Sequence, residues 1–413
     1  MSIEINMTAA KSGDCILLRC GNGEKKMNIL IDSGQSRVYL NNALRCIQKR
    51  GETLDFLVLT HDDDDHVNGL CSLVEYVKAK SAGNEENMLK NTGLEHLSEE
   101  RILYNFGEKG SEHLLSAKKI SDLSYNLLGT FDFHQIGFVF ADDSESEPLS
   151  NVIQIRWEVV EGHVKSEIVR KPTPKDLQTK KEHLELIIIS PSKQKLKEYI
   201  EHVCASLKGG EKLCNMQKKL PKVNEWDHSI QYWVDHPMVL GGDNRIENNA
   251  SIAFLLNYKG KYALFCGDAS PDDMVKAGKR YLDQMSLPCE HIDLILMKMP
   301  HHGSSKNVTE EFLSLYKTRN YLISTNGSKK NQHPGKAMLA AVASALSRGE
   351  KAHFYANYSW WSKGGHFSKA EENWNEQRSA CILKKRDGEE CTLYFDLLTE
   401  KCVELCEDYY VRI

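Results

Sequence analysis

The chain lacks any apolar run approaching the roughly 18 residues a membrane-crossing helix requires, so no transmembrane segment is expected. Its opening residues, MSIEINMTAAKSGDC, hold no apolar stretch long enough for a secretory leader. On both counts the protein is read as soluble and cytoplasmic. It has no CxxC pair. The 12 cysteines are scattered singly through apolar stretches, which argues against a disulfide framework and for reduced, buried thiols. An excess of basic charge is missing too. With 53 Lys and Arg against 58 Asp and Glu, the net charge of -5 excludes a uniformly basic nucleic-acid binder, while leaving room for a local basic groove. No internal repeat or low-complexity segment is evident. What is present, 41% hydrophobic and 27% charged residues over 413 positions, fits a globular chain with a sizeable core. The length suits one large domain with insertions or two modest ones.

Periodicity marks strands at 3–8, 15–20 and 27–31, with Gly21-Asn22-Gly23 turning between the last two. A short helix follows over 41–49 and a compact strand over 56–59. That strand runs into His61-Asp62-Asp63-Asp64-Asp65-His66, and a helix takes over at 67–78. From about 80 to 245 the pattern is harder to read. Strands are expected at 101–105 and 185–189 and helices at 116–128 and 192–207, within a long insertion that supplies part of a second sheet. The pattern then sharpens. A hairpin at 251–257 and 262–266 turns through Lys259-Gly260-Lys261. A helix is expected at 271–284, a strand at 292–299, a helix at 310–316, a strand at 321–324 and a helix at 336–347. Polar clusters sit at strand ends throughout, the usual location of chemistry in alternating α/β chains. A final hairpin, 380–385 with 391–397, lies in a C-terminal extension of about 350–413.

Four polar clusters stand out. Four consecutive carboxylates between His61 and His66 repel one another unless a cation neutralises them, and imidazole with carboxylate suits Zn, Mn or Fe. The plainer alternative is a solvated acidic loop. Gly267-Asp268 puts an acid at the end of a buried strand, although Asp268 would also suit a helix N-cap before Ser270-Pro271. His301 and His302 lie at the mouth of the 292–299 strand, either as ligands or as surface residues of a turn. Ser324-Thr325-Asn326-Gly327 and Asn331-Gln332-His333-Pro334 read alone as polar loops.

Together, in this order, the segments resemble the metallo-β-lactamase superfamily. Thr60–Gly69 is similar to its HxHxDH motif, with Asp63 at the second histidine position, a form seen in the branch containing the nuclease-like domain of ComEC-type DNA-uptake proteins. Ala10–Cys15 with Leu30–Gly34 resembles that branch's opening hairpin. Asn249–Leu255 leading to Gly267-Asp268, Lys298–Ser304 with its double histidine, and Ser324–Pro334 resemble the rest. The likeness touches about 1–75 and 245–345. It implies a single domain over 1–413 with an α/β fold, a four-layer αββα sandwich carrying a large insertion. It also implies one or two divalent ions, Zn or Mn. By this likeness His61 and Asp63 face one ion, Asp65 and His66 the second, and Asp268 bridges both. One of His301 and His302, with His302 favoured, closes the second site, leaving the other for substrate or a supporting contact. The first site lacks a customary third histidine, since Asn249-Ala250-Ser251 stands in the matching segment. A displaced ligand would come from His134, His163, His183, His202, His228 or His236, with His236 nearest.

The activity so implied is hydrolysis by a metal-activated water. Asp65 is the candidate for holding the nucleophile and His333 for general acid or phosphate binding. Lys298, Ser304, Asn326 and His333 are the candidate substrate-binding residues. Lys306, Lys329, Lys330 and Lys336 are further candidates for neutralising phosphates. A phosphodiesterase or nuclease acting on DNA is the leading expectation. The alternatives are a hydrolase of a small phosphodiester such as a cyclic nucleotide, a defence effector held by a regulatory protein partner, and a non-catalytic metal-binding module. Tyr358–Trp361 reads as a contact or base-stacking patch, or more plainly as core packing or a rim of the active cleft.

Overall fold

The computed structural model describes residues 2–81, 93–94, 97, 101–105, 141, 151–170, 172–173, 175–176, 179–207, 224–285, 289–362, 366–371, 374–375, 379–398, 403–405 and 411–412. Two mixed sheets face each other. The N-terminal half supplies β1 (Ile3–Met7), β2 (Ile16–Cys20), β3 (Met27–Ile31), helix α1 (Arg37–Gln48), β4 (Phe56–Val58), helix α2 (Asp64–Ser81) and β5 (Ile102–Leu103). Next come β6 (Val152–Val160), β7 (His163–Arg170), β8 (Glu182–Ser190), α3 (Lys193–Leu207), α4 (Ile230–Asp235) and α5 (Ile246–Asn249). They are followed by β9 (Ala253–Tyr258), β10 (Lys261–Phe265), α6 (Pro271–Gln284), β11 (Ile292–Lys298), α7 (Glu310–Leu315), β12 (Tyr316–Lys317), β13 (Asn320–Ile323), α8 (Lys336–Ala345) and β14 (Lys351–Ala356). β15 (Trp374–Asn375), β16 (Ala380–Lys384), β17 (Glu390–Leu397), β18 (Val403–Leu405) and β19 (Val411–Arg412) end the chain. The first sheet runs β19-β18-β1-β2-β3-β4-β5. The second runs β15-β16-β17-β14-β13-β11-β10-β9-β8-β6-β7, with β12 beside β11.

Side-chain alternation along the strands divides the core. Ile29 and Ile31 of β3, with Phe56 and Val58 of β4, meet Phe254, Leu256 and Phe265 of the second sheet. The intervening Leu30 and Leu57 turn the other way, onto Leu40 and Leu44 of α1 and Val67 and Leu70 of α2. On the far side, Leu255 and Leu264 pack with Met274 of α6, Phe312 of α7 and Leu339 of α8. The result is an α/β sandwich with helices on the outer face of each sheet. Burial on both faces explains why these strands read as nearly continuous apolar runs, each fully buried side chain contributing about 1.5–3 kcal/mol.

Most expected elements are present, with shifted ends. The first helix begins at Arg37, four residues before the expected start, and the helix expected to reach Tyr316 stops at Leu315 because Tyr316 pairs in β12. The expected helix at 116–128 lies outside the described residues. The long middle region gives the second sheet an unforeseen hairpin, β6–β7, in which β6 is buried only over its first part and β7 has no buried position, so neither carries a long apolar run. β14 was equally unforeseen, although it pairs with β13 and β17 in the middle of that sheet. β18 returns the C-terminal segment to the edge of β1. Trp360 and Trp361 are buried and pack against Phe395, so the two tryptophans of the Tyr358–Trp361 run belong to the core, while Tyr358 is half-buried and Ser359 exposed. Among the described residues no helix is long and apolar enough to cross a membrane.

Candidate metal centre

Parallel strands of both sheets end at one edge, and their following loops meet there. β3 and β4 are parallel, as are β10, β11, β13 and β14. Asp32 follows β3, His61 follows β4, Asp268 follows β10, and His301 and His302 follow β11. This is the edge at which α/β sheets present loops to ligands. Two glycines let the loops approach. A Cβ on Gly69 of α2 would lie 2.0 Å from the Ser33 carbonyl oxygen, and one on Gly13 would lie 1.9 Å from the Asp65 carbonyl oxygen. Asp64 and Asp65 occupy the first turn of α2, where the exposed helix N–H groups favour negative charge.

Asp268 is central. It does not cap α6, whose N-cap is Ser270. Its backbone N–H donates to Ser251 Oγ, and its carboxylate faces both loops of histidines. Asp268 Oδ2 lies 3.7 Å from His61 Nε2 and 3.6 Å from His301 Nε2. Asp268 Oδ1 lies 3.5 Å from His66 Nε2 and 3.8 Å from His302 Nε2. Asp63 Oδ2 joins the first group, 3.8 Å from His61 Nε2. Asp65 joins the second, 3.4 Å from His302 Nε2 and 3.9 Å from His66 Nε2. These separations are too long for hydrogen bonds. They are near the ~3.4 Å that separates two donors holding one ion tetrahedrally at ~2.1 Å. His61 Nε2, His66 Nε2, His302 Nε2 and Asp268 Oδ1 are buried with no hydrogen-bond partner. Buried polar atoms are seldom left so, and among the described residues His61, His66 and Asp268, and likewise Asp65, His66 and His302, bring ligand atoms close enough together to hold a cation.

Behind each histidine ring stands a polar group, and for His61, His66 and His301 it lies within hydrogen-bond distance of Nδ1. His66 Nδ1 lies 2.7 Å from Asp32 Oδ2. Asp32 also accepts from the Thr60 N–H and hydroxyl, both at 2.7 Å. His301 Nδ1 lies 2.9 Å from Asn307 Oδ1 and 3.1 Å from Asp243 Oδ2. His302 Nδ1 faces Asp14 Oδ1 at 3.5 Å, and Asp14 is held by the Lys298 ammonium at 2.7 Å. His61 Nδ1 is flanked by Thr60 Oγ1 at 3.1 Å and Ser251 Oγ at 3.4 Å. A partner at Nδ1 fixes the tautomer and frees Nε2 as a donor toward an ion. Burial opposes charge on His302, yet the carboxylates of Asp268, Asp14 and Asp65 push its pKa up to about 10. His66 is raised against burial by Asp268 and Asp32, and Asp268 is held well below the usual carboxylate range by the histidines despite its burial. The cluster is short of positive charge, a demand that protons meet here and a divalent ion would meet as well.

The structure therefore brings His61, Asp63, Asp65, His66, Asp268, His301 and His302 together. It also divides the double histidine. His301 and His302 both have left-handed backbone, with φ of 45° and 55°. This unusual pair turns the adjacent rings toward different oxygens of Asp268. His301 stands where the first group lacked a histidine. His236 does not reach the site, because it stacks on Tyr232 with Nδ1 against the Tyr232 carbonyl at 3.0 Å. His134 lies outside the described residues.

His333 lies beside the cluster, its ring 5.1 Å from His301 and 6.3 Å from His302. Burial, together with those two histidines, lowers its pKa to about 3. Asn326 is exposed. Lys298 faces inward rather than into a cleft, 1% exposed, which corrects the expectation of a substrate contact. Ser304 is also buried and accepts from the Lys306 N–H as a cap. Lys336 is buried against Glu371 and donates to the His228 carbonyl. Sequence reasoning missed Asp14, Asp32, Asp243 and Asn307 as supports. Asp32 carried a signal, an acid after a buried strand, but Asp243 lies in a loop that shows its role only in three dimensions. Comparison with models of known protein families finds no match, and no curated protein matches the chain.

Proposed function

We propose that the chain is a metal-dependent phosphodiesterase of the metallo-β-lactamase superfamily, similar to the ComEC-type branch, acting on DNA through a metal-activated water. The observation that carries this reading is the division of Asp268: each oxygen faces its own set of donors, and His61 Nε2, His66 Nε2, His302 Nε2 and Asp268 Oδ1 are buried without hydrogen bonds. His61, Asp63, His301 and Asp268 would hold one ion, and Asp65, His66, His302 and Asp268 the other. Imidazole with carboxylate suits Zn or Mn. When bound, the ions would supply a hydroxide nucleophile near neutral pH and neutralise charge on the phosphoryl group.

The chain's own groups have separable tasks. Asp65, with its side chain partly open, is set to hold and orient the attacking water. His333, beside the two histidines, presents an imidazole N–H to a phosphate oxygen or the leaving group. Asp32 and Asp243 hold the His66 and His301 rings against rotation, so those ligands cost little reorganisation when an ion enters.

The test is hydrolysis of plasmid, linear and single-stranded DNA, RNA and bis(p-nitrophenyl) phosphate with Mn or Zn, beside metal analysis. Cleavage requiring metal and lost in Asp65→Ala and His66→Ala is the expected result. A metal-loaded chain that cleaves none of these substrates would overturn the phosphodiesterase reading. A chain that takes up no divalent ion would overturn the metal centre itself.

A further inference from the structure

Beside the first group of donors stands a cation that the sequence did not single out. Arg245 Nη2 lies 2.8 Å from Asp63 Oδ2, the same oxygen that faces His61. The guanidinium is about half exposed, with a side-chain exposure of 49%, and Asp63 is at 22%, so the pair sits at the rim rather than in the core. Its position is set from behind. Asp243, two residues earlier, receives hydrogen bonds from Asn248 Nδ2 at 2.7 Å and Asn307 Nδ2 at 3.0 Å, and it faces His301 Nδ1. The segment carrying Arg245 is thus tied to the same histidine that serves the first group. The guanidinium's Nε reaches Glu247 only at 3.9 Å, and Nη1 has no hydrogen-bond partner among the described residues.

Two of the lysines expected to meet phosphate do not occupy this position. Lys298 and Lys336 are buried in ion pairs with Asp14 and Glu371. Among the described residues, Arg245 is the Lys or Arg side chain whose ion pair reaches a carboxylate of the donor cluster. We propose that Arg245 binds the anionic phosphate group of the substrate, resting on Asp63 until that carboxylate is drawn to an ion. The proposal rests on the metal-dependent phosphodiesterase reading above. Its chemistry is simple. An Asp63 oxygen committed to a cation attracts the guanidinium less, and a planar fork with unused N–H groups suits a phosphate oxygen pair at the rim. Binding moves no covalent bond.

The experiment measures Mn uptake by the full chain, then inorganic phosphate binding at saturating Mn, by calorimetry. Wild type is compared with Arg245→Ala and Arg245→Lys, and circular dichroism checks folding. Arg245→Ala is expected to keep the wild-type Mn stoichiometry and to bind phosphate about ten- to a hundredfold more weakly, the loss of a charge-assisted hydrogen bond. Arg245→Lys should recover part of it. Unchanged phosphate affinity in Mn-loaded Arg245→Ala would overturn the proposal alone, leaving Arg245 as a support for Asp63. Loss of Mn stoichiometry at saturation with unchanged phosphate affinity would do the same. A wild-type chain that takes up no Mn would overturn both this proposal and the metal centre.

Discussion

Replacing Asp268 by Asn tests the centre at its most connected point. Asp268 is 2% exposed and gives one oxygen to each donor group. Asn keeps the shape and one neutral oxygen but removes the charge and the second acceptor oxygen. The loss therefore falls on both groups at once and should weaken divalent binding by about a hundredfold or more, at the upper end of what lost supporting contacts cost. Free Mn at 100 times the wild-type Kd stabilises the folded chain by about 2.7 kcal/mol per ion. At the same free Mn, an ion whose Kd has risen a hundredfold contributes only about 0.4 kcal/mol. The assay is urea unfolding of both proteins with and without Mn, each compared with its own metal-free state, so that any change in the metal-free fold cancels. Equal Mn-induced stabilisation of wild type and Asp268→Asn would refute the reasoning. It would make the histidine–carboxylate cluster a charge network serving the fold alone.

Two further predictions concern buried charges. Lys298→Met leaves Asp14 buried without its ammonium and should destabilise the chain by about 3–5 kcal/mol. The double variant Asp14→Asn/Lys298→Met should recover much of that in urea titrations, and a single variant within about 1 kcal/mol of wild type would contradict the pairing. Asp55, 7% exposed, has its pKa raised from 3.8 to about 7, chiefly by burial. A raised carboxyl favours the fold fully below pH ~4, and this contribution is lost as pH rises through 7, by up to about 4 kcal/mol. Wild type should therefore lose stability relative to Asp55→Asn between pH 5 and pH 8. Parallel stability profiles for the two proteins would count against this.

The sequence by itself determined the strands that bracket the site. The runs 56–58, 253–256, 263–265 and 294–298 are buried on both faces, so their apolar character and the polar residues that follow are legible without a structure. It also marked all seven donors, because four adjacent carboxylates and paired histidines at strand ends are chemically conspicuous. It did not show the β6–β7 hairpin, whose half-open strands lack a continuous apolar signal, or β14, which was left unread between polar loops. It favoured His302 for the second group but did not place His301 beside the first. Their separation arises from two successive left-handed residues, a backbone choice fixed by contacts such as His301 N–H to the Gly267 carbonyl at 2.9 Å. The supports were equally hidden. Lys298 reads as a substrate-binding lysine until folding sets it against Asp14, 284 positions away in the chain, and Arg245 gains meaning only beside Asp63. Residue type and strand pattern are local properties. Which carboxylate stands behind which ring depends on loops from two sheets meeting at one edge, and only the tertiary structure decides that.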